Sequence, residues 1–447
     1  MTSALARDGL SPRTVLEPCC GEGAFLRAAG AQWPDARLVG RDVSPGYIDA
    51  ARDAIGRDAD LEVADFFTTD WSALAARLEA PVLVLGNPPW VTNAALGALG
   101  SRHVPPKRSR PELSGFDALT GKANFDVSEW MIRRLLDVFD GRDFGLAMLV
   151  KSSVARRIVA AFGAPGSGLA GSLRWIDAPR WFGASVDAAL FGIAPTSSPD
   201  GRWPVFPSLE ASAPDRVLGL VDGTLTHDAA AFARTRTWAG VCDPAWRSGL
   251  KHDCARVMEL TRSAAGWTSA AAGLVELEDD LVYPLLKGSD VANGRLTPKR
   301  GVLVPQRQLG APTEWIREAL PLTWAYLDAN RAALAGRKSR VYDGRPAFSV
   351  FGVGEYTFAP FKVAVAGLYA RPTFAFVGPH EDKPVLFDDT CYFLPFDTRE
   401  EASAALEALR GPEATEFFAA RLFGEDKRPV TKALLSSLDL RRLVERP

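Results

Sequence analysis

Thr14-Val15-Leu16-Glu17-Pro18-Cys19-Cys20-Gly21-Glu22-Gly23-Ala24-Phe25-Leu26 runs from an apolar strand through a turn with two glycines into a segment with helical spacing from Phe25 onward. A strand, a tight glycine turn and a helix are how a doubly wound α/β sheet opens a crevice for a nucleotide-like cofactor. The order of the next three strands sharpens the reading. Leu38-Val39-Gly40-Arg41-Asp42 is a second strand ending in an acid, about twenty positions on, where such folds bind ribose hydroxyls. Leu61 to Phe67 is a third strand, ending in an acid beside an apolar residue, Asp65 and Phe66. Val82 to Leu85 is a fourth, and its unbroken apolar run reads as a buried strand.

Leu85-Gly86-Asn87-Pro88-Pro89-Trp90 comes at once after it. Two prolines cannot continue a strand: they remove two backbone donors and fix φ near −65°. Asn87 is therefore expected to stay extended at the strand's carboxyl end, its amide projecting into the crevice there. An amide, two free carbonyls and the flat face of Trp90 suit a planar ligand bearing an NH2 group, bonded in its plane and stacked on its face. The plainer reading of the same four residues is a strand-ending turn whose Asn caps the next element.

A chain of 447 residues has material for about two to three domains, and its 47% hydrophobic and 24% charged residues are those of a globular protein. No apolar run approaches the ~20 residues that span a bilayer, and Arg7 and Asp8 interrupt the start where a signal peptide has its apolar core, so a cytoplasmic, nucleoid-associated protein is expected. The five cysteines, Cys19, Cys20, Cys242, Cys254 and Cys391, lack CxxC or Cys/His ligand spacing, which indicates neither a disulfide framework nor a metal site. A net charge of −2 argues against polyanion binding by the whole surface and leaves room for a local basic patch.

These four strands and the Asn-Pro-Pro-Trp turn resemble the S-adenosylmethionine-dependent methyltransferases, and within them the amino-group DNA methyltransferases that carry Asn-Pro-Pro-aromatic. The resemblance implies a Rossmann-like sheet with helices on both faces, followed by a C-terminal α+β target recognition domain. It implies that Glu17, Cys19, Gly21, Gly23 and Phe25 hold the cofactor around its methionine moiety, with Asp42 on the ribose and Asp65 and Phe66 at the adenine. It further implies that Asn87 and the Pro88 carbonyl accept hydrogen bonds from the target amine, with Pro89 completing the turn and Trp90 stacking on the base. Methyl transfer to adenine N6 of a flipped base in double-stranded DNA would need no metal. In that family a further segment normally precedes the first strand and closes the cofactor pocket. Thirteen residues precede Thr14, so dependence on a partner chain, such as a restriction or defence-system protein, is an open expectation.

Val91 to Lys122 reads as a long loop, with Arg102, His103, Lys107, Arg108 and Arg110 set to meet phosphates or simply to face solvent. Val127, Met131, Ile132, Leu135 and Leu136 share a helical face, with Asp126 or Ser128 at its start. Gly145 to Val150 is the next strand, and Lys151 stands where relatives often have proline. Arg174 to Asp177 and Ala188 to Ile193 bracket an aromatic-rich turn, as in the antiparallel hairpin at the edge of a methyltransferase sheet. The resemblance places an aromatic there against the extruded base. Phe182 is the candidate, Trp181 the alternative, and ordinary core packing the plain reading.

Pro195 to Pro214 is an irregular connection, and Val217 to Leu225 is a further strand candidate. Domains are expected at 1–245, catalytic, and 246–447, target recognition. His252-Asp253-Cys254 reads as a loop capped into a helix from Cys254 to Leu260 rather than a catalytic cluster, since adjacent side chains do not converge. Tyr283-Pro284-Leu285-Leu286-Lys287-Gly288-Ser289-Asp290-Val291 resembles the entry to the recognition half of restriction-associated adenine methyltransferases. Residues 291 to 378 hold twelve Lys/Arg against five Asp/Glu, a local +7. Lys287, Arg337, Lys338 and Arg340 are the DNA-binding candidates, among aromatics such as Trp324 and Tyr342. A monomer acting on duplex DNA is the leading expectation. Methylation of RNA or of protein glutamine, and a non-catalytic specificity or scaffold subunit, are the alternatives.

Overall fold

The computed structural model describes residues 1–56, 58–91, 126–183, 186–197, 200–424 and 428–446. The chain divides into two compact units, Met1–Ala230 and Ala231–Pro447. The division falls ahead of the 245/246 boundary expected from sequence. Residues in between belong with the second unit, where Arg234 pairs with Glu416 and Ala239 bridges to Leu438.

In the first unit, α1 (Thr2–Arg7) precedes β1 (Thr14–Glu17), α2 (Ala24–Gln32), β2 (Arg37–Asp42), α3 (Pro45–Ile55), β3 (Asp60–Val63), α4 (Trp71–Ala75) and β4 (Val82–Gly86). Beyond residue 125 come α5 (Val127–Phe139), β5 (Phe144–Lys151), α6 (Ser152–Phe162), β6 (Leu169–Ile176), α7 (Ala178–Phe182), β7 (Ala188–Pro195), β8 (Arg202–Phe206), β9 (Arg216–Val221) and β10 (Thr224–Thr226). They form one sheet in the order β10-β9-β8-β6-β7-β5-β4-β1-β2-β3, with β1 to β5 parallel and β7 antiparallel between β5 and β6. This is the α/β methyltransferase sheet expected from sequence. The chain crosses from β1 outward to β2 and β3, then returns to the other side of β1 with β4. A crevice therefore opens at the carboxyl ends of β1 and β4.

The glycine turn forms because only glycine takes its backbone freely: Gly21 and Gly23 have φ of 49° and 75°. A methyl on Gly23 would also stand 3.0 Å from the Ala51 side chain, where α2 and α3 pack. Residues after α1 run along the amino ends of the strands. The Arg13 N–H donates to Pro81, the Trp33 indole N–H donates to Leu10, and Asp8 takes a forked pair of bonds from Arg174 at 2.7 and 3.2 Å. An apolar cavity of about 610 Å³ lies at this end, opposite the crevice.

Two local readings are corrected. The segment between β6 and β7 is a short helix rather than a turn: Asp177 caps it through the Arg180 N–H, Pro179 starts it, and Gly183 ends it at φ 62°. The hairpin is also not the sheet's edge, because β6 pairs onward with β8 and the sheet continues to β10.

The second unit is α+β. One sheet has the strand order Gly273–Val275, Gly266–Ser269, Glu259–Ser263, Arg300–Leu303, Val282–Leu286, Leu386–Phe387. Another orders Arg247–Ser248, Cys391–Phe396, Phe361–Ala366 and Ala375–Val377. Helix Arg399–Arg410 packs on the latter over a core that includes Trp246, Phe417 and Phe418. The helix expected from Cys254 to Leu260 is only Ala255–Met258, since Glu259 already pairs in the sheet with Val302. Phe348 is buried with a left-handed φ of 64°.

Candidate active site

β1 ends at Glu17 and β4 at Gly86 on neighbouring strands, with Leu16 in register with Val84. A methyl on Gly86 would stand 3.6 Å from Cγ of Glu17, so the two motifs meet at the crevice. Glu17 is 1% exposed, and its Oε2 makes no hydrogen bond among the described residues. Burial pushes its carboxyl well above the usual range. The Leu26 N–H opposes that rise and Asp42 adds to it. An orphaned, buried carboxylate oxygen beside a helix-opening glycine turn fits a cationic group of a ligand.

Asp42 spans the turn. Its Oδ2 accepts the Gly21 N–H and its Oδ1 the Ser44 N–H, both at 2.9 Å. Asp65 and Phe66 lie just past β3 instead of inside it. Asp65 Oδ1 accepts the Phe67 N–H, and Phe66 is 6% exposed among Trp71, Phe67 and Trp130. Phe25 is half-buried in the first turn of α2. Cys19 and Cys20 are pushed up by burial and by the nearby carboxylates, Cys20 to about 12, so both stay thiols.

Asn87 is exposed at the end of β4, Pro88 is buried, Pro89 is exposed and Trp90 is half-buried. The Trp90 indole N–H donates to the Leu149 carbonyl of β5 at 3.2 Å. Phe182, 49% exposed at the end of α7, stands edge-on to Trp90, with ring centroids 6.3 Å apart and planes at 70°. Trp181 is more exposed, at 63%, and its ring lies under Arg180. Sequence reasoning missed the residues that secure this turn. Lys151 Nζ donates to the Trp90 carbonyl at 3.0 Å and to Asp126 Oδ2 at 2.9 Å.

Among the DNA-binding candidates, Arg102, Lys107, Arg108 and Arg110 lie outside the described residues. Lys287 pairs with Glu259 at 2.7 Å, and His252 meets the other oxygen of that carboxylate at 3.4 Å. The Arg337 guanidinium donates to the carbonyls of Leu334, His252 and Ser349 and lies over the Tyr342 ring at 3.6 Å. Its donors brace loops of the second unit. Lys338 and Arg340 are exposed. Lys338 lines an open cavity of about 790 Å³ with Asp253, Arg256, Arg337 and Ser339. Among the described residues no helix is long and apolar enough to cross a membrane.

No family model matches the chain. Over 450 residues it is 36% identical to the Type II methyltransferase M.NspV of Nostoc sp. (strain ATCC 29411 / PCC 7524), covering 99% of this chain and 94% of that one. A shorter match, 32% identical over 94 residues, covers 21% of this chain and 22% of the Type II methyltransferase M.CvrRI of Paramecium bursaria Chlorella virus XZ-6E. The solved structure of the Type IIL restriction-modification enzyme MmeI in complex with DNA superposes with a TM-score of 0.50 at 13% identity. That match spans 98% of this chain and 63% of that enzyme, and so shows a shared fold. A match at 36% identity over nearly the full length of both sequences places the chain in a family: it belongs to the Type II methyltransferases.

Proposed function

We propose that the protein transfers a methyl group from S-adenosylmethionine to N6 of an adenine flipped out of duplex DNA. The observation that carries this reading is the placement of the exposed Asn87 at the end of β4 beside the buried, half-satisfied Glu17 at the end of β1. An amine acceptor and a cofactor-binding carboxylate thus share one crevice. In this reading residues 1–230 are the catalytic unit and 231–447 the target recognition unit. Lys338, Arg340 and Arg256 then serve as phosphate contacts, while Arg337 and Lys287 support the fold.

The residues at the crevice fit the cofactor. Glu17 would hold its ammonium group, the Gly21–Gly23 turn its carboxylate end, Asp42 the ribose, and Asp65 and Phe66 the adenine. Bound there, the cofactor supplies an electrophilic methyl on a sulfonium. The chain's own part is positioning. Flipping the base costs a few kcal/mol, drawn from contacts to the DNA backbone. Asn87 Oδ1 and the Pro88 carbonyl accept the two N–H bonds of the target amine, which turns the nitrogen lone pair toward the methyl. In that orientation the lone pair would take the methyl as the carbon–sulfur bond returns its electron pair to sulfur, and the surplus proton on the nitrogen would pass to solvent. Cys19 and Cys20, held as thiols in the cofactor turn, are unsuited to the thiolate attack that methylation of cytosine carbon 5 requires.

Incubation of the purified chain with radiolabelled S-adenosylmethionine and separate DNA, RNA and protein substrates tests the reading. Label is expected in DNA. Label confined to RNA or protein, or no label at all, would overturn it.

A further inference from the structure

Lys151 is the last residue of β5, three positions beyond Met148, which pairs with Gly86 at the end of β4. From there its ammonium reaches the Trp90 carbonyl and the Asp126 carboxylate together. Asp126 is a built partner rather than a surface acid. Its side chain is 6% exposed, and its Oδ1 accepts the Ser128 N–H at 3.1 Å and the Ser128 hydroxyl at 2.6 Å, capping α5. Only Oδ2 is left for the ammonium. A carboxylate this buried is costly without its cation, and the cation is thereby held in one place.

The turn needs such a hold. Pro88 and Pro89 carry no N–H, so neither can anchor the segment through its own backbone donor. Its orientation is set at its ends, by Gly86 in the β ladder upstream and by Trp90 downstream. Trp90 is fixed at two atoms, the indole N–H on Leu149 and the carbonyl on Lys151. The Val127 N–H also donates to the Val91 carbonyl, so residues 90 and 91 are drawn to the start of α5.

We propose that Lys151, held by Asp126, is a positioning residue for methyl transfer, fixing the Trp90 carbonyl and with it the Asn87-Pro88-Pro89-Trp90 turn. This rests on the reading of Asn87 as the acceptor of the target amine. Lys151 touches neither substrate nor cofactor in this account. It sets the angle at which Asn87 Oδ1 and the Pro88 carbonyl meet the amine.

The test uses the full chain, unmethylated genomic DNA as substrate, and the variants Lys151→Met, Lys151→Arg and Asn87→Ala. In Lys151→Met, kcat is expected to fall on the order of 10- to 100-fold, the cost of a misplacement near 1 Å. Cofactor Kd stays near wild type, the thermal midpoint falls because Asp126 loses its cation while the protein remains folded at the assay temperature, and Lys151→Arg, which keeps charge and donors, restores most of the rate. An unchanged kcat in Lys151→Met beside an inactive Asn87→Ala would overturn the positioning role and leave the site reading intact. An active Asn87→Ala would overturn both. A rate lost together with cofactor binding or folding, and not recovered by arginine, would make Lys151 merely structural and overturn the proposal.

Discussion

The rings of Trp90 and Phe182 meet edge to face, 6.3 Å apart at 70°, across the mouth of the crevice. A base sandwiched between two aromatic faces needs two stacking distances of about 3.5–4.0 Å, so the rings must stand about 7–8 Å apart and parallel. The described arrangement is closed to such a base. Trp90 is pinned by its indole N–H, whereas Phe182 is half exposed on a short helix ending at Gly183. If a flipped base is stacked between the two rings, Phe182 is the one expected to move. Phe182→Ala is expected to lower kcat/KM for DNA about tenfold, from the loss of one base-stacking face, with cofactor affinity unchanged. Steady-state kinetics beside calorimetric cofactor titration checks both halves.

With Glu17 as the proposed cofactor-binding carboxyl, stability and cofactor binding are both expected to depend on pH. Its folded carboxyl titrates above the unfolded one, so the folded state holds a proton that the unfolded state has already released. Stability then falls as pH rises from the ordinary carboxylate range through the raised folded value. Glu17→Gln is expected to flatten this dependence, with a higher thermal midpoint than wild type at alkaline pH and little difference near pH 4. Cofactor binding that ionises Glu17 releases a proton, which calorimetry in buffers of different ionisation enthalpy detects. Glu17→Gln should abolish that release and weaken binding.

Lys287 is a structural cation, whereas the exposed pair Lys338 and Arg340 are proposed phosphate contacts. Burial would raise the Glu259 carboxyl, but hydrogen bonds from His252 and Lys287 bring it below the usual range. The stability this confers is present above the ordinary carboxylate pKa and lost as pH falls through the depressed folded value. Lys287→Met leaves that carboxylate short of a partner and is expected to destabilise the protein by about 1–3 kcal/mol, read in denaturant melts. The double change Lys338→Ala with Arg340→Ala should leave the melt unchanged. It should weaken DNA binding and reduce the slope of log K against log salt by about two.

β1, β2 and β4 were legible because each is a short apolar run stopped by residues with a backbone consequence: Pro18, Asp42, then the Pro88-Pro89 pair. β3 was found in place but ends at Val63, short of the Asp65 and Phe66 assigned to it. The helix between β6 and β7 was legible in principle, since Asp177 followed by Pro179 is a cap and a first-turn proline, but its aromatic content favoured a turn. The Lys151 clamp was not legible. It joins residues 90, 126 and 151 through tertiary folding, and no local periodicity reports such a contact. The same holds for Lys287 and Arg337: a run of basic residues shows charge, while the acceptors that use it up, Glu259 and three backbone carbonyls, lie elsewhere in the chain.

In the proposed mechanism Asn87 presents an exocyclic amine of adenine to the cofactor's methyl. The most direct measurement of this is the identity of the methylated nucleoside, by mass spectrometry of digested DNA after reaction with wild-type protein and with Asn87→Ala. N6-methyladenine is expected from the wild type and none from Asn87→Ala, with cofactor binding by that variant near wild type. Methylation on cytosine carbon 5, or undiminished product from Asn87→Ala, would contradict it.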